Sequence, residues 1–175
     1  MTGSYDAIVY DLDGTLVRLA VDWGAVAEAV TAVLEDGGVD ASGVKLWSML
    51  DLAAEAGLSE EAEATIADFE HDGARESARL DLAEGLPRPE AVGVCSLNCE
   101  SACRLALETH GIADAVEVVV GRDTVPKQKP DPEPLLAAIE GLDASPERTL
   151  FVGDSETDAE AAAAAGVDFS YASSF

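Results

Sequence analysis

Two rhythms of apolar and polar positions organise this chain. Short apolar runs rich in Val, Ile and Phe recur at 6–11, 91–96, 116–120, 149–152 and 167–171, each closed by Gly, Asp, Ser or another turn-forming residue. Runs of that length and composition predict buried strands. Between the later runs, apolar residues return at helical spacing and predict helices over 100–109, 134–142 and 157–165. From 22 to 83 the pattern is different, with no strand-like run and only helical spacing. It reads Trp23, Val26, Ala27, Val30, Val33, Leu34, then Leu46, Met49, Leu50, Leu52, Ala53. Gly37, Gly38 and Gly57 punctuate it, and Ser59-Glu60-Glu61-Ala62 marks a helix start. Pro87 and Pro89 mark its exit. Strands alternating with helices predict an α/β fold, a doubly wound parallel sheet with an inserted helical domain. The expected boundaries are 1–17 with 86–175 for the sheet domain and 18–85 for the insertion.

Charge narrows the partners. With 35 acidic and 10 basic residues in 175, the net charge is −25. Such a surface repels nucleic acid and anionic membranes, so neither is expected as a partner. The acids are interleaved with Val, Leu, Ile and Ala, the pattern of a folded chain. Three lysines among so many acids suit a salt-rich cytoplasm, where screening reduces self-repulsion. An acidic protein that binds cations or basic partners is the alternative. No segment has the roughly 18 consecutive apolar residues of a membrane span, and no basic-apolar leader opens the chain, so a cytoplasmic protein is expected. Cys95, Cys99 and Cys103 complete no zinc pattern and read as small buried residues in a reducing compartment.

Candidate chemistry gathers where the strand runs end, the edge at which α/β sheets bind ligands. Asp11-Leu12-Asp13-Gly14-Thr15 follows the first run. On a continuing strand, two acids two residues apart share a face and can aim at one point. Their repulsion calls for a cation or a shared proton; the plain alternative is an acidic turn. Ser96 and Asn98 end the next run ahead of a helix, which suits a phosphate or simply a cap. Lys127 and Lys129 lie in a proline-rich turn that could equally be a solvated loop. Gly153-Asp154-Ser155 ends another run, with Asp158 one helical turn on; a cap explains one of these acids less easily than both.

In that order, DxDGT at Asp11–Thr15, Ser96, Lys129 and GDSxxD at Gly153–Asp158 resemble the haloacid dehalogenase-like hydrolase superfamily. DLDGTLVRL, CSLNCESACRLALETHGI and KQKPDPEPLL are most similar to its phosphoglycolate phosphatase-like branch. The resemblance implies a Rossmann-like core, a helical cap over 18–85, and a magnesium-dependent phosphatase of small phosphate monoesters. It implies Asp11 as nucleophile forming an aspartyl-phosphate and Asp13 as general acid, then base. Ser96 would bind phosphoryl oxygens, and Lys129 would balance their charge and hold Asp11. Mg²⁺ would be held by Asp11, Asp154 and the main-chain carbonyl of Asp13, with Asp158 orienting from behind. Dehalogenases of the superfamily lack the second aspartate, so Asp13 argues for phosphoryl transfer. Asn98, Arg18, Lys45, His71, Arg75 and Arg79 are possible substrate contacts, each otherwise a surface residue.

Relatives often carry a helix before the serine-bearing strand. Gly85–Val92 leaves almost no room for one, which predicts exposed apolar surface or a homodimer partner. A phosphomutase with the same core motifs, a non-enzymatic binding module and a substrate-free cation binder are the competing readings.

Overall fold

The computed structural model describes residues 4–175 and divides the chain into two compact units, one formed up to Leu19 and from Ala74 onward, the other by Ala20–Gly73. The first unit is an α/β sheet unit. Its strands are β1 (Ala7–Tyr10), β4 (Ala91–Cys95), β5 (Val118–Val120), β6 (Thr149–Gly153) and β7 (Asp168–Tyr171). They are ordered β5-β4-β1-β6-β7, and every pairing is parallel. In register, Val9 of β1 stands between Gly93 and Phe151, so the three central strands end level with one another. Ile8 and Tyr10 are as buried as Ala7 and Val9, which explains why β1 reads as an unbroken apolar run. Helices α4 (Glu100–Thr109), α5 (Glu133–Gly141) and α6 (Glu156–Ala165) alternate with the strands. Leu135, Ala138, Ile139 and Ala162 pack with Ala7, Val9, Cys95 and Phe151 in one core. The α/β class, the parallel sheet and the helical insertion all match the sequence reading.

The second unit contains α1 (Trp23–Asp36), α2 (Leu46–Ala56) and nearly all of α3 (Ser59–Arg75). Asp22 caps α1 by accepting from the Ala25 amide at 3.1 Å. Gly57 ends α2 in the left-handed region, and Ser59 opens α3 as the sequence suggests. Val26, Val30 and Leu34 of α1 meet Met49, Ala53, Ala62 and Ile66 in a core of its own. No helix among the described residues is long and apolar enough to cross a membrane.

One expectation needs correction. The stretch 22–83 is not free of strand: Ala78–Arg79 (β3) pairs antiparallel with Val17–Arg18 (β2). Two-residue strands are too short to leave an alternating pattern. At the abrupt entry into β4, Ile8 and Tyr10 of the neighbouring β1 are buried, at 2% and 1% exposure, while Phe175 beside Tyr10 stays 42% exposed. The Phe175 ring meets Tyr10 edge-on at 6.1 Å, and Arg88 lies 5.2 Å over the same Phe175 ring. Residues distant in sequence thus cover part of the surface expected to lie bare.

Candidate active site

The carboxyl edge of β1, β4 and β6 gathers the polar groups that the sequence singled out. Asp11 follows β1 directly, its amide donating to the Val152 carbonyl at 2.8 Å. Beyond it the chain stops being a strand: the Leu12 carbonyl accepts from the amides of Thr15, Leu16 and Val17. Strand alternation therefore does not place Asp11 and Asp13 together, contrary to the spacing argument; a tight turn places Asp13. Its carboxylate accepts from the Leu19 amide at 3.0 Å, leaving it outside the acid cluster described next. Gly14 makes this turn possible, with φ of +87° and no room for a Cβ against the Asp154 carboxylate.

Asp11, Asp154 and Asp158 bring one carboxylate oxygen each within 4.8 Å of one another. Asp11 and Asp158 are buried, whereas Asp154 is exposed. Lys129 reaches into the group from the loop before α5. Its ammonium donates to Asp11 Oδ1 at 3.1 Å, to Asp158 Oδ1 at 2.6 Å and to the Cys95 carbonyl at 3.0 Å. All three N–H bonds are thereby engaged. The other oxygen of Asp158 accepts from the Ser155 amide and hydroxyl, and Ser155 caps α6 in return. Asp158 is therefore both a helix cap and a lysine anchor. Both of its oxygens are engaged, which leaves Asp11 and Asp154 as the carboxylates better placed to take a cation.

The charges do not balance. Burial pushes the Asp11 carboxyl up to about 7; Lys129 pulls it down, and Asp158 and Asp154 push it further up. Burial acts to lower Lys129, but Asp11, Cys95 and Asp158 outweigh it, so the ammonium stays charged. Burial likewise drives the Cys95 thiol up to about 12, keeping it neutral. One ammonium thus faces two buried acids with the exposed Asp154 beside them, an arrangement that a divalent cation would relieve. Two available carboxylates and the tight Gly14 turn suit magnesium, which takes few protein oxygens and keeps several waters.

Ser96 ends β4 with 4% exposure, and its Oγ accepts from the Asn98 amide at 3.1 Å and side-chain Nδ2 at 3.2 Å. With both lone pairs taken, its remaining capacity is to donate its proton. Arg18 and Arg79 sit on the β2–β3 ribbon, exposed, and Arg79 donates to the Ala83 carbonyl at 3.0 Å. Arg75 lies in the last turn of α3, Lys45 is an exposed residue ahead of α2, and His71 is half-buried on α3. The cation that acts on the Asp11 carboxyl is Lys129.

Sequence reasoning passed over Arg122, which is 4% exposed at the end of β5. The signal was available: it is a polar residue one glycine beyond an apolar run, close to a strand end.

A family model described as haloacid dehalogenase-like hydrolase matches residues 89–172. A phosphoglycolate phosphatase of Cereibacter sphaeroides is 33% identical, the match covering 93% of this chain and 82% of that protein. One from Thiobacillus denitrificans is 34% identical, over 91% of this chain and 79% of its own length. Among solved structures, a Lactobacillus plantarum protein provisionally named phosphoglycolate phosphatase superposes with a TM-score of 0.66. It is 26% identical, and the match covers 97% of this chain and 86% of that one. The chain belongs to the haloacid dehalogenase-like hydrolases, in their phosphoglycolate phosphatase-like branch, and is an enzyme of the hydrolase class.

Proposed function

We propose that this enzyme hydrolyses a small phosphate monoester of the phosphoglycolate type, with Mg²⁺, through an aspartyl-phosphate on Asp11. The observation that carries the reading is Lys129, whose three N–H bonds fix Asp11 and Asp158 around one buried ammonium. A nucleophilic carboxylate must be held still and must not be quenched by a permanent partner. Lys129 engages only Oδ1 of Asp11, leaving Oδ2 for phosphorus.

The residues then divide the chemistry. Asp11 Oδ2 attacks phosphorus, and the bond from phosphorus to the ester oxygen breaks. Asp13 gives its proton to that departing oxygen. It then takes one from the water that attacks the aspartyl-phosphate, which releases phosphate and restores the Asp11 carboxylate. The Ser96 hydroxyl donates to a phosphoryl oxygen, a role suited to a group whose lone pairs are both occupied. Lys129 acts on the phosphoryl group by its charge, since its protons are committed within the protein. Asp11, Asp154 and the Asp13 carbonyl would hold Mg²⁺, which when bound supplies positive charge to the carboxylates and phosphoryl oxygens. Asp158 positions Lys129.

The relatives named phosphoglycolate phosphatase support a compact, acidic substrate. Insertion of the helices directly after the nucleophile's strand supports residues 18–85 as a cap and 1–17 with 86–175 as the catalytic core. In that division Arg18, Arg75 and Arg79 are candidates to meet a second negative charge on the substrate, and Asn98 lies beside the phosphoryl group. The charge of −25 supports a salt-rich cytoplasm as the working environment.

The test is a panel of phosphate esters assayed with Mg²⁺ in high salt. Phosphate release that requires the metal, favours small acidic esters and vanishes in a folded Asp11→Asn protein is the expected result. Full activity in that variant overturns the covalent route, and preference for phosphoproteins overturns the substrate class.

A further inference from the structure

All ten lysines and arginines lie among the described residues, and of these only Lys129 and Arg122 are buried. Lys129 has the acid cluster as its reason. Arg122 needs another, because burying a guanidinium is costly unless its donors are satisfied. Its surroundings supply one. Leu97 and Asn98 belong to neither β4 nor α4, so their carbonyls have no partners in regular structure, whereas the Cys99 carbonyl accepts from the Cys103 amide of α4. Arg122 serves two of them: its amide donates to the Asn98 carbonyl and its Nη1 to the Leu97 carbonyl, each at 2.8 Å.

The neighbours of Arg122 extend this contact. Asp123 Oδ1 accepts from the Glu100 amide at 2.8 Å, supplying to α4 the cap that Cys99 does not. Thr124 donates to Glu100 Oε2 at 2.7 Å and accepts from the Gly121 amide at 2.8 Å. Gly121 lies so close to Glu100 that a Cβ would overlap the Glu100 amide. The Gly121–Thr124 turn therefore grips the far side of the loop that begins at Ser96.

We infer that Arg122 is a positioning residue, holding the Ser96–Asn98 loop so that the serine hydroxyl meets the phosphoryl group. This rests on the proposed phosphatase reading for its consequence, though the brace itself can be measured without any substrate. Asn98 is the link: its side chain and amide orient Ser96 Oγ, and its carbonyl is tied to the Arg122 amide. Without the guanidinium the half-buried Leu97 carbonyl loses its donor, and the loop shifts to pair it with water. A misplacement of about 1 Å costs on the order of 10²-fold in rate.

The experiment compares wild type, R122A, R122Q and R122K, with S96A alone and combined with R122A. Two readouts are taken: p-nitrophenyl phosphate turnover with Mg²⁺ and inhibition by inorganic phosphate, and amide hydrogen exchange over residues 96–101. R122A is expected to weaken phosphate inhibition and lower kcat/KM by roughly 10- to 100-fold, with faster exchange confined to that loop. R122K recovers part of the loss. S96A then costs far less in the R122A background than in wild type, because the two changes remove one interaction. If R122A does not fold, R122Q, which keeps a donor but no charge, carries the same comparison against R122K. Unchanged phosphate inhibition and exchange in folded variants, or losses from R122A and S96A that simply multiply, overturn the positioning role. A wild type that hydrolyses no ester while R122A still loosens the loop overturns the phosphatase reading and leaves the brace standing.

Discussion

The sheet unit and the helical unit of residues 20–73 bury different things. Among the described residues, eight of the nine buried polar or charged side chains belong to the sheet unit, and six of these lie in the turns and loops after its strands. The helical unit buries one, Glu70, and otherwise packs Val, Leu, Met, Ile and Ala. The contrast shows where folding free energy is spent. In the helical unit almost every buried contact is apolar and stabilises. At the strand ends Asp11, Lys129 and Asp158 are held out of water with an excess of negative charge, which is costly to the apo fold. That is the pattern expected when a site is arranged for a ligand rather than for stability.

The sharpest way to break this contrast is to remove the nucleophile. Asp11→Asn is expected to abolish phosphate release, a loss on the order of 10⁴-fold or more, with an unchanged circular dichroism spectrum. Asp13→Asn should cost about 10²–10⁴-fold, most with poor leaving groups, because these depend on the general acid. A uniform loss across leaving groups, measured on substituted phenyl phosphates, would remove Asp13 from that role.

Leu34→Ala is the counterpart in the helical unit. Leu34 is fully buried in the α1–α3 core, so its truncation should destabilise by about 2–5 kcal/mol, read by urea denaturation. A loss below about 0.5 kcal/mol would mean that this core does not support its unit.

The pH dependence sharpens the comparison further. In the metal-free protein the Asp11 carboxyl sits at about 7 against an ordinary value of 3.8. Between these values the folded state keeps a proton that the unfolded chain has released. The contribution of this group is therefore fully present below the ordinary value and is lost as pH rises through the folded one. Metal-free wild type should lose Tm relative to Asp11→Asn between pH 5 and pH 8, on the order of a few degrees, and Mg²⁺ should restore it by binding the ionised form. A difference between the two proteins that stays flat with pH contradicts the burial of that charge.

The smallest expected effect is that of salt. Raising KCl from 0.01 M to 1 M shortens the Debye length from about 30 Å to about 3 Å, and Tm should climb gradually as the surface acids are screened. A flat or falling Tm in differential scanning calorimetry would count against a salt-adapted surface.

What could be read from the residues alone was local or periodic. Five apolar runs and their helical spacers specify parallel strands and helices because buried strands and amphipathic helices have distinct periods. Three polar strand ends, Asp11, Ser96 and Asp154, were legible for the same reason: each follows an apolar run at the edge where the sheet opens, whereas Lys129 stood out only as a lysine among prolines. Folding decided what depends on residues far apart in the chain. That Lys129 joins Asp11, 118 residues away, and shares its ammonium with Asp158 follows from strand order, which no local pattern encodes. Asp13 is set by the turn that the Leu12 carbonyl closes and not by strand alternation, a main-chain pairing that spacing alone does not encode. Arg122 stayed hidden because its partners, the Leu97 and Asn98 carbonyls, are main-chain groups. A main-chain acceptor leaves no mark in sequence, so only the packing of β5 against β4 could reveal that one arginine braces the serine loop.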